Sequence, residues 1–330
     1  MDILMEHMLA FFVSFVVTVA VGFVLIPLLR RAKAGQTIRE DGPIWHNNKQ
    51  GTPTMGGIMF IIGIAVACAV AGYGNLMEED LTFIYVFLLG LLYAAIGFID
   101  DYKKLKKKQN LGLSASHKFL LQLVAAALFI LLMRLNGSLE PDLYIPFFNV
   151  SFRIPALLYY VFVAFVAVGT VNSVNITDGA DGLATGVTIP VAVFFTYISF
   201  LWNLTALGVI SAALTGGLAA FLIYNFHPAK IFMGDTGAQF IGGIVCAMAF
   251  ACNMPLILIP LGIVFFIETL SDIIQVVYFK LTHGKRIFKM APLHHHFEMR
   301  GWSEKKLFAV FTAISAVFAV ISFFGVRLKS

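Results

Sequence analysis

Four polar clusters interrupt an otherwise apolar chain of 330 residues, and each carries side chains able to hold phosphate, a sugar or a metal ion. Asp100 and Asp101 are followed at once by Tyr102, Lys103 and Lys104. Successive helical residues point about 100° apart, so the two carboxylates cannot squarely share one site; one is expected to work and the other to support it. The second cluster runs from Asn172 through Asn175, Asp178, Gly179, Ala180 and Asp181 to Gly182. Its glycines permit a sharp turn and close backbone approach, and its amides and carboxylates offer acceptors for a ribose, a base or a metal. In the third, Tyr224 to Gly237, Asn225, His227, Lys230 and Phe232 precede Asp235, which stands beside Gly234 with Gly237 close behind. Asp235 is the preferred Mg²⁺ ligand, because that ion is commonly held by one or two carboxylates plus substrate phosphates. Thr236 and Gly237 are expected to open a helix whose N-terminus holds an anion. The fourth is the triplet His294, His295 and His296. Adjacent side chains diverge and no cysteine is near, so phosphate contact or proton transfer suits them better than zinc.

Single residues add less. Glu268 and Asp272 lie on one face of a helix four residues apart and receive no role. The basic stretch from Lys103 to Lys108 reads as a headgroup-contacting segment. Lys49 and Lys118 stand beside turn residues instead, Gly51 to Gly57 and Ser114 to His117 respectively.

The elements that must position these clusters follow from composition. Charged residues are 12%, hydrophobic residues 59% and mean hydropathy +0.88, which describes a multi-spanning membrane protein and excludes a soluble enzyme, a disordered chain and a disulfide scaffold. Cys68, Cys246 and Cys252 lie in apolar runs without metal or redox spacing. The net charge of +5 is met by a lipid bilayer and a phosphorylated substrate, with no nucleic acid needed. A spanning helix needs about 20 apolar residues. Ten candidate runs occur, at 8–29, 55–72, 81–99, 119–133, 155–174, 183–201, 204–226, 240–252, 255–278 and 307–326. The first is read as a span and not a cleavable signal, since Asp2 and Glu6 precede it. The loops after the odd-numbered runs collect most of the Lys and Arg, which predicts cytoplasmic basic loops and both termini outside. The outward loop between about 135 and 154 alternates Leu143, Ile145 and Phe147 and is expected to hold a short hairpin. The fold class is therefore an all-α integral membrane protein of about ten helices, a single domain over 1–330, with all four clusters on its cytoplasmic face. Carboxylates, lysines and histidines gathered there describe phosphoryl chemistry at the membrane surface.

The segments Lys49 to Gly57, Asp100 to Lys104, Asn175 to Gly182, Asn225 to Gly237 and Pro292 to Glu298 resemble those of the bacterial phospho-N-acetylmuramoyl-pentapeptide-transferase family. That family is a branch of the polyprenyl-phosphate N-acetylhexosamine-1-phosphate transferases. The likeness spans essentially the whole chain; Ala180 departs from it, where many members carry Leu. It implies a Mg²⁺-dependent enzyme of the bacterial inner membrane, its catalytic loops cytoplasmic. Such an enzyme moves phospho-MurNAc-pentapeptide from UDP-MurNAc-pentapeptide to undecaprenyl phosphate, making lipid I for peptidoglycan and releasing UMP. By the same likeness Asp235 would bind Mg²⁺, and Asp100 and Asp101 would serve the phosphate acceptor and its deprotonation. Asn175, Asp178, Gly179, Asp181, Asn225 and Phe232 would form the nucleotide and diphosphate site. Lys49, Lys104 and Lys118 would neutralise phosphate, and His294, His295 and His296 would face the sugar-phosphate, with His295 counted among the catalytic groups. Three alternatives stay open. They are a sister transferase acting on UDP-GlcNAc, a two-step route through an aspartyl-phosphate, and a secondary transporter, for which paired broken helices are expected and none is predicted. Oligomeric state is open too, a homodimer included.

Overall fold

The computed structural model describes residues 2–32, 35, 49, 51–107, 111–135, 137 and 139–326. Most of the first basic loop, with Lys33 and Arg39, lies outside the described residues, as do Gln50, Lys108, Arg327 and Lys329.

Long apolar stretches fold as helices because each helix satisfies its own backbone polar groups. The helices in chain order are α1 (Ile3–Arg31), α2 (Gly57–Ala71), α3 (Tyr73–Met77), α4 (Thr82–Lys107), α5 (Ala115–Leu135), α6 (Ala156–Thr177), α7 (Leu183–Leu201), α8 (Thr205–Asn225), α9 (Gly234–Ala251), α10 (Leu258–Leu261), α11 (Ile263–Leu281), α12 (Leu293–Glu298) and α13 (Glu304–Phe323), with α3, α10 and α12 as short helices between the long ones. Seven of them, α1, α4, α5, α6, α7, α8 and α13, are long and apolar enough to cross a membrane, and counting α10 with α11 as one broken span makes eight. The second predicted run is shorter than a full span, since α2 has 15 residues. The ninth run, predicted to be continuous, is broken: Pro255–Leu261 and Ile263–Leu281 meet at 81°. Pro260 lacks an amide hydrogen and Gly262 has no side chain to hold a helical path, while the apolar character that signals a span continues across both. This is the one bent pair among the described residues, so the paired breaks of a transporter repeat are not found there.

The predicted hairpin is present. Strands β1 (Asp142–Ile145) and β2 (Val150–Arg153) run antiparallel with Asp142 opposite Arg153, and the Tyr144 hydroxyl donates to the Gly325 carbonyl at 3.3 Å.

At the centre lie α8 and α9, whose side chains are almost all buried. α9 packs along α4 and α6, and α8 packs along α1, α2 and α7. Around them α1, α5, α6 and α13 turn large apolar side chains outward, among them Phe23 (71% exposed), Leu157 (75%) and Phe165 (75%). A bilayer covers such a surface; water would not tolerate it. Small residues let the inner helices close up. Gly216 on α8 lies against the Phe11 backbone of α1, where a side chain would collide. Replacing it, as in Gly216→Leu, should force α1 from α8 and cost about 1–3 kcal/mol, read as a lowered thermal midpoint in detergent.

Candidate active site

The C-terminal end of α4, the N-terminal ends of α5 and α9, and the C-terminal end of α6 converge at one end of the bundle. The first turn of α9 needs partners for its free amides. Its N-cap residue, Met233, has no side-chain acceptor to give. The acceptor is instead Asp101 of α4, 3% exposed, which takes the N–H of Asp235 (3.2 Å), the N–H of Thr236 (2.9 Å) and the Thr236 hydroxyl (2.7 Å). Two glycines make room for this. Gly97 lies against the Asp235 backbone with no space for a Cβ. Gly234, at φ +71°, leaves room for the Asp101 carboxylate and the Thr54 hydroxyl. The predicted anion site at this helix end is therefore filled from within the chain. Asp100, one residue earlier, faces elsewhere: it pairs with Lys104 (2.6 Å) and accepts from the Leu113 N–H (2.7 Å).

Capped this way, α9 holds the Asp235 carboxylate among residues of three other helices. Its Oδ2 accepts from Lys104 (3.0 Å) and Lys118 (2.8 Å). The Asn175 amide, oriented to suit its neighbours, donates to Asp235 Oδ1 (3.0 Å) and accepts from Lys118 (3.1 Å). Asp100 and Asp235 thus share one ammonium, and their donor atoms are hard oxygens, the set that suits Mg²⁺.

Beside this cluster stands the loop after α6. Burial pushes the Asp178 carboxyl well above the usual carboxylate range; Asp235, Asp101 and Asp181 add to the effect and Lys49 opposes it. Asp181 differs. Burial would raise it, yet Lys49 at 2.7 Å, the Ala229 N–H at 3.0 Å and His227 at 2.9 Å together hold it below that range. Lys49 also pairs with Glu304 (2.6 Å), whose carboxylate accepts the Asp181 N–H (2.8 Å), and these two acids outweigh burial to raise the ammonium. Asp181, His227 and Glu304 bring three ligand atoms within 4.8 Å of one another, the one such grouping among the described residues, and it does not include Asp235. The Lys49 ammonium already supplies a cation to both acids of that group.

The remaining predicted residues divide. Phe232 lies under Lys49, 6.0 Å from ring centroid to ammonium, and its backbone pairs with Pro53 (2.9 Å) and Gly56 (2.8 Å), which joins the first motif to the third. Asn225 is buried and spends its amide inside the protein, accepting from Thr185 (2.9 Å) and donating to the Ile231 carbonyl (3.0 Å). The histidines diverge only in part: the His294 and His295 rings lie together, 4.1 Å between centroids, while His296 packs on Phe288. His294 is buried and its Nδ1 lies 2.9 Å from Glu268, which also accepts its backbone N–H, while its unpartnered Nε2 lies against Gly179. His295 pairs with Glu298 (2.7 Å). His296 accepts the Lys289 N–H (3.0 Å), and partial burial with Arg300 and Lys289 nearby lowers its pKa. Sequence reasoning gave Glu268 no role, placed Thr54 in a motif without giving it one, and missed Glu304 and Gly97. An acid in a helix's first turn and a glycine in an apolar run carry no distinguishing signal.

Residues 83–253 match the family model for glycosyl transferase family 4, and residues 49–61 match signature 1 of phospho-N-acetylmuramoyl-pentapeptide-transferase. Three proteins that bear that transferase's name are similar over nearly the whole chain. The one from Clostridium acetobutylicum is 45% identical over 94% of this chain and 96% of its own. That from Desulforamulus reducens is 45% identical over 96% and 94%. That from Acetivibrio thermocellus is 45% identical over 98% and 96%.

Two measurements follow from this geometry. Asp101→Ala strips α9 of its cap and should cost about 1–2 kcal/mol, seen as a lower thermal midpoint. Asp178 behaves oppositely. Its charged form is disfavoured only in the folded chain, so it destabilises the fold as pH rises past the unfolded value of about 3.9. Asp178→Asn should therefore raise the midpoint near neutral pH, with the gain shrinking as pH falls toward about 4.

Proposed function

The chain belongs to the phospho-N-acetylmuramoyl-pentapeptide-transferase family, and on that premise we propose how its site joins the two substrates of lipid I synthesis. The protein transfers phospho-MurNAc-pentapeptide from UDP-MurNAc-pentapeptide to undecaprenyl phosphate and releases UMP. The matched signature at 49–61 favours this reading over the UDP-GlcNAc branch. The observation that carries the mechanism is the Asp235 carboxylate held between two lysines, an amide and the neighbouring Asp100.

In the reaction an oxygen of the lipid phosphate forms a bond to the sugar-bearing phosphorus. The bond from that phosphorus to the bridging oxygen breaks, and UMP leaves with that oxygen. A phosphate monoester has a second pKa near 6, so the acceptor is largely dianionic at neutral pH and needs little help from a base. The larger barrier is bringing two anions together. Asp235 would hold Mg²⁺, which supplies positive charge to the diphosphate when bound. Lys104 and Lys118, freed from the acids they now neutralise, would turn their ammoniums to the phosphates. Lys49 over Phe232, with Asp178 and Gly179 across from them, would receive the nucleotide, while Asp181 and Asn225 brace that pocket from behind. His294 and His295 would border the sugar-phosphate side. Asp100 is the acid left to face the acceptor. Asp101 takes three hydrogen bonds, which blunts it as a nucleophile, so a two-step route would have to run through Asp100, whose carboxylate is itself engaged by Lys104 and the Leu113 N–H; direct displacement is the reading we adopt.

The Lys and Arg bias supports a multi-pass protein of the bacterial inner membrane with this site on the cytoplasmic side and both termini outside. On that reading α2 and α9, seated among the spanning helices, complete ten crossings with the bent pair.

Purified protein in detergent, given Mg²⁺ and undecaprenyl phosphate, should release UMP from UDP-MurNAc-pentapeptide and not from UDP-GlcNAc. Asp235→Asn should reduce that release by about 100-fold or more while the protein stays folded. Release from UDP-GlcNAc instead would move the chain to the sister reaction. A phosphorylated protein trapped with the nucleotide alone would overturn direct displacement.

A further inference from the structure

One helical turn inward from the site lies a second set of polar side chains. Gln122 is 1% exposed and Gln239 is fully buried, with Asn172 beside them. The Gln122 amide nitrogen donates to Gln239 Oε1 (3.0 Å) and lies 3.4 Å from Asn172 Oδ1. In return Asn172 donates to Gln122 Oε1 (2.9 Å) and to the Val168 carbonyl (2.8 Å). The fully buried Tyr93 donates its hydroxyl to the Gln122 carbonyl (3.2 Å). These four residues come from α5, α9, α6 and α4. The same four helices supply Lys118, Asp235, Asn175 and the Asp100–Lys104 pair.

The register between the two sets is regular. Gln122 follows Lys118 by four residues and Gln239 follows Asp235 by four, while Asn172 precedes Asn175 by three on a helix that runs the other way. Residues three or four apart share a helix face, so each amide lies directly beneath a residue of the site. Tyr93 likewise stands four residues before Gly97, the glycine pressed against the Asp235 backbone.

We propose that Gln122, Asn172, Gln239 and Tyr93 are positioning residues for the transfer reaction: an amide layer that fixes the axial register of α4, α5, α6 and α9 so that Lys118, Asn175 and Asp235 meet. Apolar contacts alone resist separation of helices but permit sliding, because they are non-directional. Hydrogen bonds between side chains of neighbouring helices are directional and tie each helix to one height. One buried donor, Gln239 Nε2, has no partner, an expense that packing alone gives no reason to keep. Reaction rate is sensitive to such register, since a misplacement of about 1 Å can cost about 100-fold.

This inference rests on the transfer reaction proposed above, so wild-type UMP release is the control that separates the two. Gln239→Met removes the tie and the unpartnered nitrogen while keeping the volume. Its kcat should fall about tenfold or more, with KM for the nucleotide within about twofold and the thermal midpoint little changed, since removal of one unpartnered donor is balanced by the Gln122 nitrogen left with Asn172 alone. Gln239→Glu, which keeps the oxygen that accepts from Gln122, should hold kcat within about threefold of wild type. Gln122→Met should reproduce the kcat loss from the other side of the bond. Wild-type kcat in both Met variants, or a kcat loss that Gln239→Glu shares in full, would overturn the positioning role. So would a kcat loss that only accompanies a fallen midpoint. Absence of release by wild-type protein would instead overturn the functional reading.

Discussion

The site depends on one carboxylate set against the end of a helix. α9 begins at a glycine and has no acceptor of its own for its first amides, so Asp101 of α4 supplies one from across the interface. The contact is favourable because an anion meets both free donors and the positive end of the helix dipole. It also requires close approach of two backbones, which the missing side chains at Gly97 and Gly234 allow. From this contact the rest follows in order. Asp235, in the first turn, is fixed in place. Asp100, about 100° around α4 from its neighbour, is turned toward Lys104 and the loop at Leu113. Two adjacent aspartates thereby acquire separate duties.

The second feature is the way opposite charges are stored. Lys104 and Lys118 pair with Asp235, and Lys49 pairs with Asp181 and Glu304. Partly buried pairs of this kind add little net stability, because loss of hydration offsets most of their attraction. On the proposed function their value is placement: the ammonium groups would stand within reach of the substrate diphosphate. Asp178 is the counterpart in which burial prevails and Lys49 offsets only part of the effect. Crowded by three other acids, it is held against its own ionisation, a strain that sites of chemistry commonly retain at the expense of stability.

Behind both clusters the bundle answers a problem of its own. Helices that face lipid on one side and each other on the other gain little from apolar contact for choosing one height over another. Small residues bring the inner helices close, and a few buried amides then choose the height. The lipid-facing sides of the outer helices carry none of this detail, and large apolar side chains suffice there.

Much of this was legible in the chain itself. The apolar runs marked the helices, alternation near Leu143 marked the hairpin, and the four polar clusters marked one end of the bundle, because rare polar residues in an apolar sequence stand out by type and spacing. The sequence also carried the family, through motifs at Lys49 to Gly57 and at the triple histidine. What it could not display was direction and partnership. The break at Gly262 lay inside unbroken apolarity. Glu304, Glu268, Gln122 and Gln239 were single polar residues whose partners stand far away along the chain, and Asp100 and Asp101 were indistinguishable until α9 was set against one of them. Residue type and periodicity are local properties and determine which segments become helices and where polarity gathers. Which carboxylate caps, which lysine pairs and which amide sets the register depend on distances across helices, and only tertiary packing decides those.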